Sequence, residues 1–179
     1  PQASVAAEIL PWAAQPVHSA SVKASRVDLS VLWPGAPRTD LSGTASATPG
    51  GGQWRAEVDL ANAVSGPWDA QRLPLETLRA RVLQTGTQAW RLEELNAFAA
   101  QGRLQAQGSL LLGETTRLTS ASGSLQWTGL NPAALLSTLP AATLHVAVDA
   151  TSGTDGNRLN LVAQPATGAG GEQPLALRQ

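Results

Sequence analysis

Apolar and polar residues alternate with a period of two along most of the chain, and this pattern constrains the fold more than any other feature. A period of two places apolar side chains on one face of a β-strand and polar side chains on the other. The polar positions are mostly Arg, Gln, Ser, Thr and Asp, so each strand has one face suited to water. The pattern predicts strands over residues 27–33, 41–47, 54–60, 78–82, 104–112, 144–148 and 159–163.

Turn-forming residues separate the predicted strands and indicate how they connect. Pro34-Gly35, Pro49-Gly50 and Gly66-Pro67 are typical turn pairs, and residues 152–157 are rich in Ser, Gly, Asp and Asn. A parallel sheet would need a crossover of a dozen or more residues between most strands. The short intervals therefore predict an antiparallel meander. A glycine-rich loop over residues 165–173 precedes what is typical of one more strand, at Leu175 and Leu177.

One short helix is predicted near residues 131–139. Asn131 is a favourable N-cap residue, Pro132 suits the first helical position, and Pro140 ends the segment. Residues 92–100 have mixed spacing, and their pattern does not decide between a helix and a strand. The predicted fold class is all-β, with this single helix.

One short helix cannot cover the apolar face of so many strands. The sheet can close into a barrel, stack on a second sheet, or curl into a trough whose inner face stays apolar. Gly43, Gly108 and Gly123 lie within predicted strands, where glycine permits strong curvature. A trough would suit an elongated acyl chain. From the residues alone, an ordinary packed sandwich is favoured over the trough.

Composition excludes several classes of function. The chain has no Cys, which removes disulfide scaffolds, thiol nucleophiles and cysteine zinc sites. Its net charge of −1 and charged fraction of 14% leave no basic surface for nucleic acid. The 179 residues suit a single β-rich segment, and a first residue Pro1 with no Met anywhere predicts an interior fragment of a longer chain. No run approaches the roughly 20 apolar residues of a membrane span.

No constellation of residues indicates catalysis, and we expect neither an enzyme nor a cofactor or metal site. His145 and Asp149 share the polar side of one predicted strand, but no G-x-S-x-G nucleophile motif accompanies them. The glycine runs lack the lysine of a phosphate-binding loop. The other candidates, which a solvated surface or a turn explains, are Glu57, Asp59, Glu93, Glu94 and the runs at residues 50–52 and 168–171.

Three segments combine alternating strands, G-x-L openings and one short helix. They are GPWDAQRLPLETLRARV at residues 66–82, AQGRLQAQGSLLL at residues 100–112, and GLNPAALLSTLP followed by TLHVAVDAT at residues 129–151. In this combination of features the chain resembles the TamB family, the translocation and assembly module inner-membrane subunit, which is related to AsmA-like proteins. The phrase Gly-Leu-Asn-Pro-Ala-x-Leu is the most telling part. The resemblance extends from about residue 22 to the end and includes no catalytic residues.

The resemblance implies a large envelope protein of a Gram-negative bacterium. Such a protein is anchored in the inner membrane by an N-terminal helix and extends through the periplasm. Its body is a curled, taco-shaped antiparallel β-sheet with a hydrophobic groove for phospholipid acyl chains. The family is also implicated in outer-membrane protein assembly with a β-barrel partner, which other parts of the chain would reach.

Under this interpretation the alternating apolar residues line the groove, and transport needs no chemistry at the protein. A period of two fixes that these residues share a face within each strand, but not that this face is the groove. The alternative is a structural or adhesion-type β-module with a packed core and no ligand. The candidate lining residues are Trp54, Val58, Leu104, Leu110, Leu144, Val146, Leu159 and Leu161.

Overall fold

The computed structural model describes residues 2–9, 17–50, 53–113, 118–154, 156–166 and 175–177. In this part of the chain, eleven strands form one antiparallel sheet, and their order in the sheet is their order in the sequence. The first and last of these strands do not pair with each other, so the sheet is open and curled rather than closed into a barrel. The predicted all-β class and curled antiparallel sheet are confirmed.

Each described strand pairs with its neighbours in sequence through an antiparallel ladder. Neighbouring strands in a sheet are rotated by about 20–25° relative to one another, so a single layer of this width must coil. The strands are β1 (Gln2–Ile9), β2 (Val17–Val27), β3 (Leu41–Gly50), β4 (Gln53–Asn62), β5 (Leu75–Gln84), β6 (Ala89–Ala99), β7 (Gly102–Leu112), β8 (Leu118–Leu130), β9 (Leu144–Gly153), β10 (Gly156–Pro165) and β11 (Leu175–Leu177).

The predicted strands are confirmed from residue 41 onwards, and the one predicted over residues 27–33 is wrong. Strand β2 ends at Val27, and Leu29–Leu32 form a one-turn helix, α1. The Asp28 carboxylate caps this helix by accepting a hydrogen bond from the Ser30 backbone N–H at 3.0 Å. An N-cap of this kind satisfies a donor that a helix end leaves unpaired. Local capping therefore outweighs the apolar alternation here.

The second helix begins where predicted but ends earlier. Helix α2 (Pro132–Leu135) follows Asn131, whose side-chain oxygen accepts a hydrogen bond from the Ala133 N–H at 3.1 Å. The prediction that it continues to residue 139 is wrong, because Leu136 is extended. The next backbone N–H, of Ser137, is bound by the Asp69 carboxylate at 2.9 Å. This bond to a distant loop replaces the one that a further helical turn would make.

The ambiguous residues 92–99 belong to β6. The register of β6 shifts near its middle against both of its neighbours. Against β5 the shift falls between Arg81 and Val82 of β5, and against β7 it falls between Leu92 and Leu95 of β6. A bulge inserts extra residues into one strand of a pair. Apolar side chains on either side of it then keep the same face although their spacing is no longer two. The bulge explains why the periodicity could not identify this strand.

The two ends of the sheet differ in their connections. Short hairpins join β3 to β4, β5 to β6 and β9 to β10 at one end, which we name the hairpin end. At the other end, named the cap end, β6 and β7 are joined by Ala100 and Gln101 alone. Their φ angles are 47° and 65°, as a two-residue type I′ turn requires. The longer cap-end segments, which carry α1, a 3₁₀ turn at Trp68–Ala70 and α2, are residues 28–40, 63–74 and 131–143.

The side chains that are buried from solvent lie chiefly at the cap end. Asn62, the last residue of β4, is 6% exposed. Its side-chain oxygen accepts a hydrogen bond from the Asp40 N–H at 3.0 Å, and its amide group donates to the Leu75 carbonyl at 3.0 Å. Asn62 thus connects the loop before β3 to the start of β5. The buried apolar residues of the described part are Ala97, Ala99, Ala100 and Leu130.

The cap end contains the same local construction twice. Arg26, with a φ of 54°, lies two residues before Asp28, the N-cap of α1. Gly129, with a φ of 78°, lies two residues before Asn131, the N-cap of α2. Each position coincides with a shift in the pairing with the following strand. The recurrence indicates a repeated unit of strand, bulge, cap and one-turn helix, which directs the chain along the same end of the sheet.

We expect Asn62→Ala to lower the free energy of unfolding by about 2–4 kcal/mol, because it removes several hydrogen bonds and leaves buried backbone groups unpaired. Urea denaturation followed by circular dichroism measures this change. The control is Asn160→Ala at an exposed position of β10, where the expected change is within about 0.5 kcal/mol. Equal losses in the two variants would contradict a stabilising role for the Asn62 bonds.

The Asp28 carboxylate should make stability depend on acid pH. Hydrogen bonds from the Thr39 backbone N–H, and then from Ser30, hold the pKa of Asp28 below its ordinary value of 3.8. A carboxyl with a lowered folded-state pKa stabilises the protein above its unfolded pKa, and this stabilisation is lost as pH falls through the folded pKa. Asp28→Asn keeps a capping side chain. The free energy of unfolding of the Asp28→Asn variant, measured by urea denaturation, should therefore decline less steeply than that of the wild type between roughly pH 5 and pH 2. Equal slopes for the two proteins would contradict the prediction.

Candidate functional site

All eight candidate lining residues lie on one face of the sheet, which we name the apolar face. Directly paired residues of an antiparallel ladder share a face, so a face can be followed from strand to strand. One continuous row of paired residues crosses the sheet and contains two of the candidates; its members are Val58, Ala80, Leu95, Ala106, Leu125, Val148 and Leu161. Each of the other six candidates lies an even number of residues from a member of this row, along a regular part of the same strand, and so shares its face. These six are Trp54, Leu104, Leu110, Leu144, Val146 and Leu159.

Three neighbouring rows of residues shape the apolar face. The middle row continues through Ala45 and Val22 to Val5 at the edge of the sheet. A row nearer the hairpin end contains Trp54, Trp90 and Leu110. The row between these two is mostly small, so it forms a shallow valley that crosses the strands. It comprises Ala7, Ala20, Ala47, Ala56, Val82, Leu92, Gly108, Gly123, Ala150 and Leu159.

Backbones approach closely at two positions of the apolar face. A Cβ on Gly108, in the valley, would lie 2.7 Å from the Ser122 carbonyl oxygen, and one on Gly43, on the cap-end side of the middle row, would collide with the Asp59 carbonyl oxygen. Only glycine fits such approaches without a shift of the backbone. Since neighbouring strands are about 4.8 Å apart, the valley from β1 to β10 is about 43 Å long.

The apolar face is not covered by a second layer in the described part of the chain. Leu159, Leu161 and Leu110 are 62%, 41% and 38% exposed. The other candidates with described side chains are half-buried. Large apolar side chains thus remain in contact with water along the face.

The opposite face, named the polar face, carries paired charges. Arg79 bonds Asp59 at 2.6 Å, and Arg81 bonds Glu57 at 3.1 Å and lies 3.7 Å from Glu94. The hydrogen bond to Asp59 raises the pKa of the Arg79 guanidinium. These side chains are about half-exposed, and exposed ion pairs of this kind contribute little to stability. The polar face is therefore a solvated surface that carries cross-strand ion pairs.

Of the residues considered for catalysis, His145, Asp149, Glu57, Asp59 and Glu94 lie on the polar face and are not assembled into a catalytic site, and Glu93 falls in the bulge of β6. His145 pairs with Thr128 and Gln164 across the ladder. Asp149 lies four residues along the same strand, about 13 Å away at the usual rise per residue, which is too far for a hydrogen bond to His145. Among the described residues no group of three or more His, Asp or Glu could hold a metal ion. The glycine run at residues 168–171 lies outside the described residues, as do residues 51 and 52 of the run at residues 50–52.

The apolar face includes residues that the sequence pattern did not identify. Leu92 and Leu95 were hidden by the bulge in β6. Trp127 lies opposite Leu104 and Val146, and its indole N–H donates a hydrogen bond to the Ala99 carbonyl at 3.2 Å. Alternation in β1 and β2 could have identified Val5 and Val22, but short Ala and Ser side chains weaken the signal there.

Comparisons with known proteins give no assignment. The chain matches no protein-family model, no curated protein sequence and no solved structure. No helix in the described residues is long and apolar enough to cross a membrane. The apolar face, with the solvated polar face behind it, is thus the feature of the described structure that requires a functional explanation.

A charge placed on the apolar face tests whether this face is open. We expect Leu159→Asp to lower the free energy of unfolding by less than about 1 kcal/mol, because the new carboxylate stays hydrated. Leu130→Asp is the matched control. Leu130 is 7% exposed, and an unpaired buried charge there should cost about 3 kcal/mol or more. Urea denaturation measures both variants, and a large loss for Leu159→Asp would mean that the apolar face is packed.

Proposed function

We propose that this chain forms a segment of a periplasmic hydrophobic β-groove, which carries phospholipids between the inner and outer membranes of a Gram-negative bacterium. The observation that carries the proposal is the apolar face, a continuous apolar surface that crosses the sheet from β1 to β10 and has no covering layer in the described residues. An uncovered surface of this size is unusual for a self-contained domain and marks a site of interaction. Its elongated form fits an acyl chain.

Removal of water from the apolar face and from the lipid would supply the binding free energy. Each acyl methylene that leaves water contributes about 0.8 kcal/mol. An acyl chain in the valley of small residues would contact the bulkier rows on both sides, and it would cover part of Leu110 and Leu159. No bond is made or broken in this process, so the protein needs no catalytic group.

The margin of the apolar face at the hairpin end would suit the boundary between acyl chain and head group. The row nearer the hairpin end contains Trp54, Trp90 and Leu110, and it is polar at Gln84, which pairs with Trp90, and at Ser152 and Asn157. The Ser152 hydroxyl bonds the Asn157 side-chain oxygen at 2.7 Å. Tryptophan is enriched where an apolar region meets water. Under the proposal, acyl chains lie on the apolar rows while head groups remain at this margin or in solvent.

The cellular setting of the proposal comes from the resemblance to the TamB family. In that setting the protein is anchored in the inner membrane and extends through the periplasm, and this chain is one portion of the groove. Assembly of outer-membrane proteins with a β-barrel partner would involve other parts of the protein. The competing hypothesis, a structural or adhesion-type β-module with a packed core, requires a further layer over the apolar face.

Site-specific photocrosslinking in the envelope of a Gram-negative host tests the proposal. A photoreactive amino acid replaces Leu104, Val146 or Leu161 on the apolar face. We expect ultraviolet light to attach phospholipid to each of these positions, because the acyl chains lie against them. Mass spectrometry of the purified protein identifies the adduct and its lipid class.

The matched controls replace Gln105, His145 or Asn160, which are the immediate chain neighbours on the polar face. These positions should give little or no phospholipid adduct. Equal labelling of the two faces would indicate nonspecific contact with membranes. Absence of labelling on both faces would favour a packed structural module, and either result would overturn the lipid proposal for this segment.

A further inference from the structure

A depression of about 610 Å³ lies on the polar face, across strands β4 to β7. A second depression, of about 270 Å³, adjoins it on the side of β8, and the two share Glu94 and Asn96. Small-molecule sites usually measure about 300–1,000 Å³. The polar-face residues that line the larger depression are Asp59, Thr77, Arg79, Glu94, Asn96, Phe98 and Arg103. The proposed lipid role, which concerns the apolar face, uses none of them.

The bulge in β6 places an aromatic ring in the larger depression. Leu92, before the bulge, lies on the apolar face, and in an uninterrupted strand Phe98 would lie on that face too. The register shift around Glu93 and Glu94 reverses the alternation, so Phe98 lies on the polar face opposite Arg103. Bulges re-aim side chains and are over-represented beside active sites. This bulge therefore separates the chain's single phenylalanine from the apolar face.

Phe98 and Arg103 are both accessible to a ligand. Phe98 is 40% exposed although its neighbours on this face are polar. In the described part of the chain, the Arg103 guanidinium makes no hydrogen bond or ion pair. A guanidinium offers five N–H donors in one plane. An exposed apolar ring thus lies directly across the ladder from a planar group of unused donors.

Hydrogen bonds orient the polar groups that the two depressions share. The Gln105 amide group donates to the Asn96 side-chain oxygen at 3.0 Å, and the Asn96 amide group donates to the Glu94 carboxylate at 2.5 Å. Glu94 also lies 3.7 Å from Arg81. Side chains that are already held in place lose less entropy when a ligand binds. The lone pairs that remain on the Glu94 carboxylate can accept hydrogen bonds from a ligand.

The charges in the larger depression nearly balance. Asp59 and Glu94 lie 2.6 Å and 3.7 Å from an arginine. Apart from these pairs, the charged lining residues are Glu76 and Arg103, which have opposite signs. Without an excess of either sign, the depression has no strong attraction for an anion or a cation. A neutral ligand that carries hydroxyl groups fits it better.

We propose that this depression binds a neutral saccharide chain. A pyranose ring has an apolar C–H face that packs against an aromatic ring, and its hydroxyl groups both donate and accept hydrogen bonds. Phe98 contacts the C–H face of one sugar unit, while Arg103 donates to its hydroxyl oxygens and Glu94 accepts from its hydroxyl groups. A second sugar unit occupies the adjoining depression beside Gln105 and Gln107. The site lies on the opposite face from the proposed lipid groove, so the two proposals are tested separately.

Titration of the full 179-residue chain with neutral trisaccharides tests the proposal. The probes are maltotriose, cellotriose and triacetylchitotriose, and binding is followed by saturation-transfer-difference NMR and calorimetry. We expect at least one of them to bind with a Kd of about 1 mM or lower. The tripeptide triserine, which has hydroxyl groups but no sugar ring, should not bind. Failure of all three trisaccharides, or equal binding of triserine, would overturn the proposal.

Substitution of the aromatic ring locates the site. Phe98→Ala should weaken binding of the trisaccharide by about tenfold or more, because the apolar contact with the sugar ring is lost. The matched control is Leu111→Ala in β7, since Leu111 lies on the polar face, is 42% exposed and lines neither depression. Both variants should keep the wild-type circular dichroism spectrum, because neither side chain is buried.

Arg103→Met, on the neighbouring strand, is a second and independent variant. We expect it to weaken binding several-fold, because the hydrogen-bond donors of the guanidinium are lost. Wild-type affinity in both Phe98→Ala and Arg103→Met would overturn the assignment of the site. An equal loss of affinity in Leu111→Ala would also overturn it, since that residue lies outside the depressions.

Discussion

An antiparallel meander satisfies its backbone hydrogen bonds through strands that are neighbours in sequence, and it leaves the side chains of one face without a covering layer. The curl of the sheet and the exposure of its apolar face both follow from this arrangement. Because β1 to β11 form a single sheet, no second sheet in the described residues covers the apolar face. The sheet can reduce the exposure of that face by twist and curl, but it cannot remove it. An apolar ligand or partner that binds the face can remove this exposure.

In other proteins a packed core fixes the positions of the chain segments, and here contacts at the cap end do so. Asn62, nearly inaccessible to solvent, joins three chain segments through its side chain. The contact of Asp69 with Ser137 connects the loop after β4 to the loop after β8. Buried polar groups are costly unless they are paired, so the bonds of Asn62 favour one arrangement of the segments around it, whereas the bond between Asp69 and Ser137 lies at the exposed surface. The opposite, hairpin end needs only short turns.

Sequence periodicity predicted β3, β4, β5, β7, β9 and β10, but it did not predict β1, β2 and β8, whose pairing is regular over most of their length. It also failed where local contacts intervene. In β6 the bulge around Glu93 and Glu94 breaks the period of two, although Leu92 and Leu95 reach the same face. At residues 29–32 a cap made by Asp28 converts an alternating segment into a helical turn. Helix α2 was overextended because its end depends on Asp69, which lies far away in the sequence.

Local alternation was enough to predict the fold class, most strands and which candidate lining residues share a face within a strand, because the alternation of side chains is a property of the extended backbone itself. How these faces join into one apolar surface, and the lack of a second layer over it in the described residues, follow from strand register and from contacts between distant segments. The row from Val58 to Leu161 is an example, and no local pattern encodes it.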